Sequence, residues 1–260
     1  MNNTQKIEKK FNRDFSTLLK VHKVKKKDIV FLHVKLKNIK KNYKISYKRL
    51  STIIIKSLQK RAVKNILVPS FFYSFSSKKK FDVNETKSEN GFFSEFFRKN
   101  FAEYRSNDPF FSLCFLNKKN IKSKEKKINF NSSFQKNTIW DELFKNNVTI
   151  INIGLDHLII TLIHYIEYTY KVPYRNFFNR KGYKKFGNKF IPVTYNLYGR
   201  KNLNNIELDW SKIERFLISK KVIKNLDKST FNFKCFKIKS VAKALKPMIS
   251  KDPYFLVKKL

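Results

Sequence analysis

Apolar positions along the chain fall into short continuous runs separated by amphipathic stretches, and that alternation sets the expected elements. Residues Asp28–Leu36 (DIVFLHVKL) are apolar and β-branched over the length of a buried strand. Tyr47–Lys60 follows, with Leu50, Ile53, Ile54 and Leu58 on one helical face. Ile66–Val68 reads as a second short strand, stopped by Pro69. A helix is expected over Phe92–Lys99, with Ser88, Glu89 and Asn90 as candidate caps. Trp140–Phe144 reads as the end of a short helix and Val148–Ile153 as a strand. Gly154 makes the next turn, Asp156 is the candidate N-cap of a helix running towards Tyr170, and Pro173 ends that helix.

The flanks are less regular. Met1–Lys27 is a basic lead-in with a short helix expected around Phe15–Val21, and 121–127 is a lysine-rich loop. From Asn176 on, short basic strands are expected, with one helix near Trp210–Ile218. Strand and helix in alternation imply a layered α/β domain, and neither an internal repeat nor a clear linker interrupts it. The expected division is a lead-in of residues 1–23 and one domain over 24–260.

Composition narrows the function classes. A chain of 260 residues with 42% hydrophobic and 16% aromatic side chains has the material for a substantial core, which excludes a disordered chain. The formal charge of +39 by itself points to a polyanion partner. Yet Lys, Asn, Ile and Phe are abundant while Gly falls to 5 and Pro to 6, the bias of A+T-rich codons. The lysines are also spread along the whole chain, so the charge is read first as compositional, with nucleic acid left open as a partner. Cys114 and Cys235 lack metal-ligand spacing and read as two thiols of a reduced, cytoplasmic protein. Met1–Asp14 has no apolar core, so no secretory leader is expected. The most apolar run, Val148–Ile166, is interrupted by Asn152, Asp156, His157 and His164, which excludes a membrane span. Neither a Walker-type loop nor Gly-x-Gly-x-x-Gly occurs, so nucleotide cofactors have no motif.

Two segments carry candidate chemistry. Thr161, His164 and Glu167 are spaced i, i+3, i+6, which places an imidazole beside a carboxylate at the edge of the stripe Leu158, Leu162, Tyr165, Ile166, Thr169. A carboxylate raises the basicity of the imidazole and fixes its tautomer, as a general base requires. By spacing alone, a structural helical ion pair is the stronger reading. His-x-x-Glu without further Cys or His ligands makes no zinc site, so no metal is expected. His157 reads as a surface or capping residue. The second segment, Arg105-Ser-Asn-Asp-Pro-Phe-Phe-Ser112, clusters polar groups between aromatics as a ligand-facing loop would. A proline-directed turn with Arg105 in a structural ion pair fits it equally well.

The order of these segments adds what spacing cannot. ILVPSFFYSF, FDVNETKSENGFFSEFFRK and RSNDPFFS between Ile66 and Ser112, followed by GLDHLIITLIHYIEYTYKVPYR at Gly154–Arg175, resemble the acetyl-CoA-dependent aminoglycoside 3-N-acetyltransferase family. The resemblance implies a single three-layer α/β/α domain with a mixed central sheet. It implies acetyl transfer from acetyl-CoA, as co-substrate, to a primary amine of an aminoglycoside or other amino sugar. It places His164 as catalytic base, Glu167 as its partner and Thr161 beside them, with Ser106 and amides near Ser112 supporting the oxyanion. It assigns His33, Lys35, Pro69, Ser70, Phe71, Tyr73 and Ser112 to the acetyl-CoA side, and Arg105, Ser106 and Asp108 to the acceptor side.

The chain departs from the family pattern after His33. It has Val34-Lys35-Leu36 where the family has Ser-Ser-Leu, and no glycine across Asn38–Lys44. Asp108 stands where many members have His. A surface this basic repels polycations, so an anionic amino sugar is the expected acceptor. A non-catalytic family member and a basic RNA-associated protein remain the alternatives.

Overall fold

The computed structural model describes residues 3–78, 80–119, 125–201, 205–224 and 232–260. Strands β1 (Ile29–Val34), β2 (Asn65–Pro69), β4 (Tyr104–Arg105), β5 (Leu113–Phe115), β6 (Thr149–Ile153) and β10 (Phe233–Lys237) form one sheet in the order β10-β6-β1-β2-β5-β4. The central trio β6, β1 and β2 is parallel, β10 and β5 run antiparallel to it, and β4, antiparallel to β5, runs in the direction of the trio. The sheet is therefore mixed, as expected.

Side-chain alternation along the strands divides the core in two. Val30, Leu32, Ile66, Val68, Ile151 and Ile153 point to one face and join a cluster with Phe11, Phe15, Leu50, Ile54 and Phe97. These come from helices α1 (Asn3–Val21), α3 (Tyr47–Lys60) and α5 (Phe92–Asn100). Phe31, Leu67, Leu113 and Ile150 point to the other face and pack with Trp140, Ile166, Leu217 and Leu245. Those side chains come from α6 (Ile139–Lys145), α7 (Ile163–Thr169), α8 (Trp210–Ser219) and α9 (Ile238–Lys251). Helices thus cover both faces, giving three layers. Among the described residues no helix is long and apolar enough to cross a membrane.

Several expectations are corrected. The lead-in is a 19-residue helix rather than a short one, because Phe11, Phe15 and Leu19 recur at four-residue spacing and are buried against α3. Ser88, Glu89 and Asn90 do not cap α5. Gly91, at φ +87°, holds the cap position without a side-chain bond. Asp156 caps no helix, since α7 begins seven residues later at Ile163; its carboxylate is taken instead by Lys35 and Asn38. Beyond Asn176 not all strands are short: β7 (Arg175–Phe186) and β8 (Lys189–Arg200) make a hairpin of two 12-residue strands, extended by β3 (Lys80–Phe81), while the strands after it have three to five residues. A second helix, α9, follows Trp210–Ser219 and keeps Pro247 inside it. Of the expected loop at 121–127, residues 121–124 lie outside the described residues, and Glu125–Lys127 is one 3-10 turn.

The parallel trio places its strand ends together. His33 and Val34 of β1 pair with Asn152 and Ile153 of β6, and Pro69 closes β2 on the same side. In open α/β sheets this carboxyl edge is where ligands bind. Gly154 is required here: its φ is +69°, and a Cβ would sit 2.5 Å from the Lys35 carbonyl oxygen. Asn38, in the helix Leu36–Tyr43 that follows β1, ties the two strand ends further by donating to the Gly154 carbonyl at 2.7 Å.

Candidate active site

The cluster nearest this edge is built around Glu167, whose side chain is fully buried. The first turn of α7 presents His164, and its Nδ1 lies 2.7 Å from Glu167 Oε2. After α7 the chain reverses at Lys171–Val172, with Val172 N–H bonded to the Glu167 carbonyl. That reversal brings back Tyr174, which donates to Glu167 Oε1 at 2.9 Å, and Arg175, whose Nε makes an ion-pair contact of 2.6 Å with Oε2. Burial opposes the Glu167 charge, but Arg175, His164 and Tyr174 together hold the carboxyl below its ordinary value. Glu167 is therefore an anion with three partners.

That anion sets the state of His164. A carboxylate accepts only, so Nδ1 carries the proton and Nε2 keeps a lone pair. Burial, with Arg175 nearby, lowers the imidazole pKa despite the opposing pull of Glu167, so the ring is neutral near pH 7. Phe134 packs edge-on to it at 5.0 Å. The side chain nevertheless keeps 22% of its surface exposed, while Glu167 keeps none. The cluster is a buried anion holding a partly open base.

His33 lies at the end of β1, with Nε2 3.4 Å from Thr161 Oγ1. It is buried against Phe31, and burial lowers its pKa to about 3, so it is neutral. Thr161 precedes α7, and its carbonyl accepts from the His164 N–H at 3.2 Å. Lys35 is half-exposed and paired with Asp156.

The 105–112 loop is organised differently. Arg105 donates from Nε to Ser112 Oγ at 3.0 Å, from Nη2 to the Ser70 carbonyl at 2.7 Å, and from Nη1 to the carbonyls of Val83 and Thr86. Ser112 Oγ donates to the same Ser70 carbonyl. Ser106 Oγ accepts the Leu113 N–H at 2.8 Å. Asp108 accepts the Phe110 and Phe111 N–H groups and the Tyr195 hydroxyl, and burial raises its pKa to about 7. All four side chains are buried and satisfied within the chain. Pro69 and Ser70 continue β2 into this network. Beyond them, Phe71 is buried between Trp140 and Phe111, while Tyr73 is exposed and packs edge-on to both Phe71 and Phe111.

The structure thus brings His164, Glu167, Thr161 and His33 to one end of the sheet, and keeps Arg105, Ser112 and the Ser70 carbonyl in a separate buried network, with Ser106 and Asp108 bonded apart from it within the same loop. Tyr174 and Arg175 were not singled out from the sequence, although Pro173-Tyr-Arg175 stood in the second motif block. His157 is exposed. Among the described residues no group of three or more His, Cys, Asp or Glu is placed to hold a metal ion.

The chain belongs to the aminoglycoside 3-N-acetyltransferase family, whose model matches residues 51–248. In fold it is similar to the YokD protein from Bacillus subtilis, at 18% identity and TM-score 0.70 over 92% of this chain and 98% of that one. It is similar to aminoglycoside acetyltransferase AAC(3)-Xa, at 14% identity and TM-score 0.74 over 92% of each chain. It also resembles AAC-IIIb in its binary complex with CoASH, at 12% identity and TM-score 0.74 over 92% of this chain and 96% of that one. No curated protein matched the chain.

Proposed function

We propose that the chain transfers acetyl from acetyl-CoA to a primary amine of an amino sugar, with His164 as the base. The observation that carries this is the 2.7 Å contact between His164 Nδ1 and an ionised, buried Glu167. It leaves Nε2 as the one basic ring atom, on a side chain that still meets solvent. As the amine nitrogen attacks the thioester carbon, a C–N bond forms and Nε2 takes the amine proton. When the C–S bond breaks, the same proton is returned to the departing thiolate. Arg175 and Tyr174 position Glu167, and Glu167 stabilises the imidazolium between the two events. Thr161 and neutral His33 supply polar hydrogens beside it.

Acetyl-CoA belongs on the carboxyl edge, where the exposed Tyr73 and the start of the helix after β1 lie. The departure after His33 has a structural counterpart. The chain turns at Lys35 straight into the helix Leu36–Tyr43, and Lys35 and Asn38 are engaged with Asp156 and Gly154, so this segment is held by side chains where glycines would leave bare backbone. Arg105, Ser106, Asp108 and Ser112 act in this reading as positioning residues that hold the loop between β4 and β5.

The acceptor follows from charge. At +39 the surface repels polycations and attracts anions, so an anionic amino sugar, such as a nucleotide-linked one, is preferred over an aminoglycoside. Release of free CoA thiol, measured against panels of both classes, tests this. Turnover greatest with the anionic panel supports the assignment. Turnover confined to aminoglycosides reverses the acceptor class, and no turnover together with no acetyl-CoA binding overturns the enzyme reading.

A further inference from the structure

The β7–β8 hairpin carries a surface that acetyl transfer does not use. Its two faces differ sharply. Gly182, Lys184 and Tyr195 point inward, where Tyr195 packs with Phe72, Phe75, Phe81 and Phe110. The opposite face carries Lys181, Tyr183 and Lys185 on β7, directly across from Thr194, Pro192 and Phe190 on β8. Lys80, paired with Tyr183 on the neighbouring strand, extends that face, and its Nζ lies over the Phe190 ring at 5.6 Å. Tyr183 is 43% exposed and Phe190 42%. A shallow concavity of about 400 Å³ runs between Lys181, Tyr183 and Pro192. Lys185 is paired with Asp82, and among the described residues no carboxylate pairs with Lys80 or Lys181.

We infer that this outward face binds single-stranded nucleic acid, with Tyr183 and Phe190 stacking on bases and Lys80 and Lys181 meeting phosphates. Exposed rings interleaved with cations on a flat sheet face are the arrangement that stacks unpaired bases while tracking the backbone. An anionic bilayer fits less well, because the hairpin turn that would enter it is Gly187-Asn188 followed by Lys189. A second copy of the chain is opposed by its own net charge.

The test uses the full chain and a short labelled oligouridylate, with anisotropy followed across a salt series. Tyr183→Ala with Phe190→Ala weakens binding about 10-fold or more while far-UV dichroism and the unfolding midpoint stay at parental values. Lys80→Gln with Lys181→Gln lowers the salt slope by about 0.7 for each phosphate that is no longer neutralised. Lys243→Gln with Lys246→Gln, on α9, removes the same charge elsewhere and leaves the affinity unchanged. Parental affinity in the ring variant, an equal loss in the α9 variant, or binding to phosphatidylserine vesicles without binding to the oligomer each overturns the assignment.

Discussion

At His164 and at Arg105 the chain brings polar side chains into an aromatic surrounding, yet the two groups end in different states. Around Glu167, three partners converge on one carboxylate, and the histidine among them retains an unspent nitrogen and a share of solvent. Around Arg105, every nitrogen of the guanidinium is directed at a carbonyl or hydroxyl of the same chain, and Asp108, Ser106 and Ser112 are bonded in turn. A polar group is available for chemistry when its neighbours fix its charge and tautomer without exhausting its bonding capacity. Where capacity is exhausted, the same residue types fasten a loop. Motif content alone does not separate these cases, and bond accounting does.

The sharpest way to break the comparison is Glu167→Gln. It leaves Arg175 buried without its counter-charge, a loss of about 3–5 kcal/mol in denaturant unfolding. Because the folded pKa of Glu167 is depressed, its contribution is present above the unfolded value and is lost as pH falls through the folded one. The deficit of the variant should therefore shrink in acid, and a pH-independent deficit would remove the charge argument.

Arg105→Ala comes next. It strips partners from the Ser70 and Thr86 carbonyls, at a cost of about 3 kcal/mol. Equilibrium unfolding should show that loss, whereas a parental midpoint combined with a raised KM for the acceptor would make Arg105 a binding residue.

Asp108→Asn differs in sign. Burial raises the folded pKa to about 7, so the native state holds a proton that the unfolded chain releases near its ordinary value. Native stability from this group is complete below that unfolded value and declines as pH rises through about 7. The amide keeps the acceptor oxygen without the charge, so the variant should match the parent only below about pH 4 and exceed it increasingly up to about pH 8, there by roughly 3–4 kcal/mol. A gain in acid instead would invert the sign.

Much of the fold was legible because strong local signals agreed with the tertiary outcome. Tyr47–Lys60 is the observed helix residue for residue, and Ser46 caps it by accepting from the Arg49 N–H. The strands β1, β2 and β6 carry continuous apolar runs and lie at the centre of the sheet. Illegible elements had conflicting signals. Lysines diluted the Phe11–Phe15–Leu19 repeat of α1, Pro247 read as a break inside α9, and Gly182 and Pro192 punctuated a hairpin that cross-strand pairing keeps continuous. Asp156 had the local chemistry of a cap, but Lys35, 121 positions away, claims it. The contact between His164 and Glu167 was legible from their i, i+3 spacing, whereas its reading as a catalytic pair came from the family resemblance alone. Tyr174 and Arg175 join only because the chain doubles back after α7, a tertiary event that no helical period encodes.

The direct test of the central claim is turnover of acetyl-CoA with the best acceptor, followed from about pH 5 to 8 in the parent and in His164→Ala. The account predicts that the parent loses rate on the acid side, with an apparent pKa below the ordinary histidine value of 6.5. It predicts that the variant is slower by about 100-fold or more and has lost that acid limb. A folded His164→Ala protein that turns over like the parent, with the same pH profile, would contradict it.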